Sequence, residues 1–72
     1  MEITIEYCSQ WNYLPQAASL AEEISKQIGF TPQLIKGSRG VFDIHKDGKL
    51  VYSKHEALNQ FPQHDQIIEA LR

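Results

Sequence analysis

The stretch Tyr7-Cys8-Ser9-Gln10-Trp11 holds the only cysteine of the chain. An ionised thiol is a strong nucleophile and the starting point of thiol–disulfide exchange. A C-x-x-C redox motif places its second cysteine three positions on, and here that position is Trp11. With a single sulfur the chain closes no internal disulfide, so redox chemistry at Cys8 takes its second sulfur from outside. Two readings of Cys8 stand side by side. It is a nucleophile, or it is a packing residue, since free cysteine is among the most buried residue types. The elements around it decide.

Residues 2–7 alternate apolar and polar, with Ile3, Ile5 and Tyr7 on one face and Glu2, Thr4 and Glu6 on the other, the pattern of a half-buried strand. The period then changes. Leu14, Ala17, Ala18, Ala21, Ile24 and Ile28 fall at helical spacing, flanked by Leu20. The spacing predicts a helix from about Tyr13 to Ile28, with Asn12 as N-cap, Pro15 in the first turn and Gly29 as the C-terminal stop. Residues 31–36 read as a short strand led by Pro32. The loop Gly37-Ser38-Arg39-Gly40 follows, its glycines on both sides allowing close approach or an unusual turn. Two alternating runs flank Asp47-Gly48, a dipeptide suited to a type I′ turn, and predict an antiparallel hairpin. Phe42 and Ile44 share one face of it; Val41, Asp43 and His45 share the other. Residues 54–64 read as a polar connector, and Ile67, Ile68 and Leu71 give a short terminal helix.

The order β-α-β-β-β-α predicts one domain over residues 1–72. Its β-α-β unit joins parallel strands by a right-handed crossover, and the hairpin adds antiparallel ones. The expected fold class is α/β: an α+β two-layer sandwich of the thioredoxin-like kind. A mixed four-stranded sheet carries both helices on one face and leaves the other largely open. Cys8 then falls at the carboxyl end of the first strand, where open α/β sheets gather ligands. The N–H groups of the following helix stabilise a thiolate there, so the thiol pKa is expected to fall and the thiol to be at least partly exposed.

Composition narrows the function. Seventy-two residues with Lys+Arg 7 and Asp+Glu 9 give a net charge of −2, no signature of nucleic-acid binding. No apolar run approaches the length of a membrane span, and no basic run precedes an apolar stretch as in a signal peptide. A lone free thiol suits the reducing cytoplasm, the expected location. His45, His55 and His64 match no metal-ligand spacing, and no metal or bound cofactor is expected. Glu22 and Glu23 read as the solvated side of the first helix. Trp11 is either packing over Cys8 or a recognition surface, because tryptophan is enriched at binding hot spots.

The ordered set Tyr7, Cys8, Tyr13, the Gly37–Phe42 segment, Asp43, Gly48, the Val51–Lys54 segment and Phe61-Pro62 resembles the selenoprotein W-like proteins, the Rdx group of thioredoxin-like domains. The likeness covers nearly the whole chain. It implies thiol–disulfide or selenenylsulfide chemistry linked to glutathione and to partner proteins. The first motif cysteine of that family corresponds to Cys8. The second motif residue, selenocysteine in the selenoproteins, corresponds to Trp11, which implies a single-thiol activity, reduced or altered. In such folds the loop of Ser38 and Arg39 faces the motif, although its usual proline is absent. Cys8 is the candidate redox thiol, and Ser9, Gln10, Trp11, Ser38 and Arg39 are the candidate binding residues. Glutathione is the expected co-substrate. The other expectation is a non-catalytic module that binds an unidentified protein partner through Trp11 and the open sheet face.

Overall fold

The computed structural model describes residues 1–57 and 60–72, so Leu58 and Asn59 of the expected connector lie outside the described residues. The elements follow in the expected order: β1 (Ile3–Cys8), α1 (Leu14–Ile28), β2 (Gln33–Gly37), β3 (Phe42–Lys46), β4 (Lys49–Ser53) and α2 (His64–Leu71). The sheet order is β2-β1-β3-β4, with β1 and β2 parallel and the other pairs antiparallel. This is the expected mixed four-stranded sheet of a two-layer α+β sandwich.

The alternation in β1 sends Ile3, Ile5 and Tyr7 into the core beside Phe42 and Ile44 of β3. Ala17, Leu20, Ala21 and Ile24 of α1 and Ile67, Ile68 and Leu71 of α2 cover them from one side. Thr4, Glu6, Asp43 and His45, on the opposite sheet face, are only partly buried. The buried stripe of α1 departs from the sequence expectation. Leu20 is at its centre, while Leu14 is 46% exposed and Ala18 lies outside. Leu20 belongs with Ala17, Ala21 and Ile24 in the i, i+3, i+4, i+7 pattern of one helix face. Leu14 is the first residue of the helix and does not join that face.

The start of α1 also differs. Tyr13, not Asn12, is the N-cap; it is αR, with φ −84° and ψ 0°, and makes no side-chain capping bond. Asn12 instead sits in the left-handed region at φ 60°, a conformation asparagine tolerates better than most residues. It turns the chain so that the Tyr13 N–H donates to the Cys8 carbonyl at 3.2 Å. The other end is as expected: Gly29 is left-handed, φ 91°, and its N–H donates to the Ser25 carbonyl at 3.1 Å.

Asp47 and Gly48 both have positive φ, 51° and 84°, as a type I′ turn requires. Asp47 also ties the hairpin to the chain start: its N–H donates to the Glu2 carbonyl at 2.7 Å, and its Oδ1 accepts from the Glu2 N–H at 2.8 Å. Ile44 pairs with Tyr52 and His45 with Leu50, which leaves Val51 as an extra residue in β4. This bulge lets the consecutive residues Val51 and Tyr52 both reach the core cluster.

Candidate functional site

Cys8 ends β1 between two backbones. Its Cα partner is Gly37 of β2, and its N–H donates to the Val41 carbonyl at 2.9 Å, just before β3 begins. Strand alternation places it with Thr4 and Glu6 on the face away from the helices, and it is not part of the main core cluster. The strands close here because residue 37 has no side chain: a Cβ on Gly37 would lie 2.6 Å from Glu6 Cγ and from Val41 Cγ1. The loop then turns sharply back, with the Val41 N–H donating to the Ser38 carbonyl at 3.2 Å and Gly40 at φ 75°.

The thiol meets backbone donors from both sides. The Trp11 N–H donates to Sγ at 3.3 Å. Burial pushes the Cys8 pKa up, but the N–H groups of Gly40, Trp11 and Gln10 and the Arg39 guanidinium pull it down, and the net result lies below the ordinary thiol value. The donors are therefore loop amides gathered around the sulfur, and the sequence expectation of a lowered pKa is met by a different set of groups from the helix N-terminus alone.

The expected exposure is not met. Cys8 has 0% of its surface accessible. Its cover is thin, because Ser9, Gln10, Trp11, Ser38 and Arg39 are all exposed around it. Trp11 is 52% exposed, and its ring lies against Gly40, where an added Cβ would come within 3.0 Å of Trp11 Cζ3. Of the sequence candidates, Gln10, Trp11 and Arg39 act directly on the thiol. Ser38 serves through its carbonyl in the turn, and Ser9 is exposed.

Beside the thiol runs an aromatic row. Tyr13 meets Trp11 edge-on at 6.1 Å between ring centroids, Phe42 at 6.4 Å and Phe61 at 4.8 Å. Lys54 Nζ lies 5.4 Å from the Tyr13 centroid and 5.3 Å from that of Phe61, in the range of cation–π attraction. Lys54, at the start of the segment read as a polar connector, is only 8% exposed: its stem packs among rings. Past Phe61, a cleft of about 260 Å³ is lined by Pro15, Gln16, Ser19, Leu20, Phe42, Phe61, Pro62 and His64. Lys54 is the residue whose part in the site the sequence reasoning missed; its contacts are long-range and leave no local spacing signal. Among the described residues no three His, Cys, Asp or Glu side chains are grouped to hold a metal ion, and no helix is long and apolar enough to cross a membrane.

Residues 2–72 match the Rdx family. The chain belongs to that family. A curated relative, migration and invasion enhancer 1 from Bos taurus, is 33% identical over 73 residues, a match that covers this whole chain but 63% of the bovine protein. The chain thus spans less than two thirds of that relative's length. Among solved structures, a protein from Bordetella parapertussis superposes with a TM-score of 0.88 at 30% identity, over 96% of this chain and 90% of that one. A selenoprotein W-related protein from Vibrio cholerae superposes with a TM-score of 0.91 at 22% identity, over 97% of this chain and 90% of that one, and shows the fold. The sandwich described above is the thioredoxin-like fold of the Rdx family.

Proposed function

We propose that this Rdx domain is a single-thiol redox protein acting through Cys8, with reduced or altered activity because Trp11 stands where a second redox residue would. The observation that carries the reading is the gathering of backbone N–H groups and Arg39 around Sγ, which favours the thiolate. The thiolate attacks one sulfur of an external disulfide. A bond forms between Cys8 Sγ and that sulfur, the disulfide breaks, and its second sulfur leaves as a thiolate. A free thiol, glutathione in this proposal, then attacks the outer sulfur of the mixed disulfide as a thiolate; a new disulfide forms between glutathione and that sulfur, the bond to Sγ breaks, and Cys8 leaves as the thiolate. A reducing compartment such as the cytoplasm suits that cycle.

Intact-protein mass spectrometry after exposure to oxidised glutathione tests it. The expected product carries one glutathione on Cys8, is removed by dithiothreitol, and is absent from Cys8→Ser. A folded protein that stays unmodified after prolonged exposure sinks the proposal. The second reading, a module that binds a partner protein, is favoured by one specific observation: Trp11, Leu14 and Phe61 present large apolar side chains to solvent at the Cys8 end of the molecule.

A further inference from the structure

Cys8 is wholly buried, yet every residue of the two covering segments except Gly40 is exposed. Residues 9–12 lead on from the end of β1, residues 38–40 link its two neighbours β2 and β3, and one side chain joins the two segments. The Trp11 indole reaches from the first segment to rest on Gly40 of the second, while the backbone N–H groups of both Trp11 and Gly40 face Sγ. The ring therefore joins the two segments whose amides hold the thiol.

We propose that Trp11 is the specificity-determining residue of this site, a hinged cover that decides by size which disulfides reach Cys8. The proposal rests on the reading of Cys8 as a reactive thiol. Three features make the cover movable. Trp11 is 52% exposed, so only about half of its surface is in contact to be given up when it swings out. Asn12, at φ 60°, is a single left-handed residue on which the 9–12 segment can turn. Finally, α1 has no side-chain cap that would tie the segment to the helix start. The position beneath the ring is a glycine for a steric reason: a Cβ on Gly40 would press on Cζ3 at 3.0 Å, and the backbone there is at φ 75°. Local opening of such a thinly held segment needs only a fraction of the free energy of global unfolding. Closed, the cover keeps Sγ among its donors. Open, it admits a reagent in proportion to how far the ring has moved.

The test compares two reagents on the native full chain. Iodoacetamide alkylates Sγ with loss of iodide. The aromatic disulfide dithiobis(nitrobenzoate) is attacked by the Cys8 thiolate, forms a mixed disulfide and releases one coloured nitrothiobenzoate. The quantity read is the ratio of the two rates, normalised to that of the same chain unfolded in guanidinium. In the wild type the bulky disulfide is expected to be disfavoured by about ten-fold or more, consistent with a local opening step. Trp11→Ala brings the normalised ratio close to one, and Trp11→Phe gives an intermediate value. Gly40→Ala, which crowds the ring by a few tenths of an ångström, moves the ratio part of the way toward that of Trp11→Ala and keeps the test decisive if that variant folds poorly. General destabilisation is separated with Leu71→Ala, a core variant remote from the ring: reaction through global unfolding also drives the ratio toward one, but there both rates follow the unfolded population as urea is added, whereas in Trp11→Ala the ratio shifts without urea and independently of that population. A wild-type ratio already near one, or a ratio unmoved in the Trp11 and Gly40 variants, overturns the cover. Failure of the thiol reading has a different signature: Trp11→Ala alkylated rapidly, but with a pH midpoint at or above the ordinary thiol value.

Discussion

Cys8 is held by opposing influences, and their balance is open to measurement. Burial disfavours the thiolate, while the amides of Gly40, Trp11 and Gln10 and the charge of Arg39 favour it more. The iodoacetamide rate is therefore expected to rise with pH to a midpoint below about 8.5, the value of a free thiol. Arg39→Gln is expected to move that midpoint upward by a small amount, because Arg39 is the least of the influences and its side chain is exposed to salt screening. A midpoint unmoved by the substitution at low ionic strength would remove Arg39 from the site. Linkage fixes the sign of the stability effect. The folded pKa is depressed, so the stabilisation is fully present above the unfolded thiol pKa and is lost as pH falls through the folded one. Denaturant midpoints should thus gain an increment between those two pH values that Cys8→Ser lacks. The vacancy at the second motif position gives another prediction. The Trp11 nitrogen is 3.3 Å from Sγ, which brings the Cβ of residue 11 close to disulfide range. Trp11→Cys is expected to form an intramolecular disulfide under mild oxidation, seen as a thiol count of zero that dithiothreitol restores to two. The strand-end place of Cys8 was legible in the sequence from the alternation that ends at Tyr7. Its burial was not, because the cover depends on Trp11 meeting Gly40, twenty-nine positions away.

At the scale of elements, the site exists because β1, β2 and the loop before β3 approach closely at one end of the sheet. Gly37 permits that approach, and the sequence already pointed to glycines at both ends of the Gly37–Gly40 loop as places of close contact or unusual turning. The structure divides those roles: Gly37 answers to crowding and Gly40 to its positive φ and the ring above it. Gly37→Ala forces a Cβ to within 2.6 Å of Glu6 and Val41. Overpacking of this kind costs about 1–3 kcal/mol, and chemical denaturation should show it. The same variant should raise the exposure of Cys8, since the β1–β2 pairing ends beside it; an unchanged alkylation rate would show that the strand end relaxes without disturbing the thiol. The hairpin was legible because Asp47-Gly48 fits one turn type between two alternating runs. The bulge at Val51 was not, since nothing in the sequence of β4 distinguishes an extra residue from a regular one, and only the pull of the core on both Val51 and Tyr52 reveals it. Lys54 was misread for a related reason. A lysine in a polar stretch looks solvated, and only the distant rings of Tyr13 and Phe61 give its stem somewhere to pack.

For the whole molecule, stability and site function are carried by different parts of the chain. A domain of 72 residues has about 4–11 kcal/mol to lose before it unfolds. Nothing covalent reinforces it, since its one cysteine is free. Closure of the core depends on α2, which is eight residues long and buries Ile67, Ile68 and Leu71. Its C-terminal end is tied down twice: Lys46 Nζ donates to the Leu71 carbonyl at 3.3 Å, and Arg72 donates to Gln27 Oε1 at 3.4 Å. A lysine at that position also complements the negative end of the helix dipole. Leu71 itself is 0% exposed, so Leu71→Ala removes contacts that no neighbour can replace. Substitutions of this type cost about 2–5 kcal/mol, a large share of the total. Trp11, half exposed, should cost only about 1–2 kcal/mol on truncation to Ala, by the area it buries. Urea denaturation of the two variants side by side is therefore expected to show a much larger loss for Leu71→Ala, while only in Trp11→Ala is the thiol freed to bulky disulfides without global unfolding. If Trp11→Ala is instead the more destabilised of the two, the ring is a keystone of the fold and its position over Cys8 serves packing.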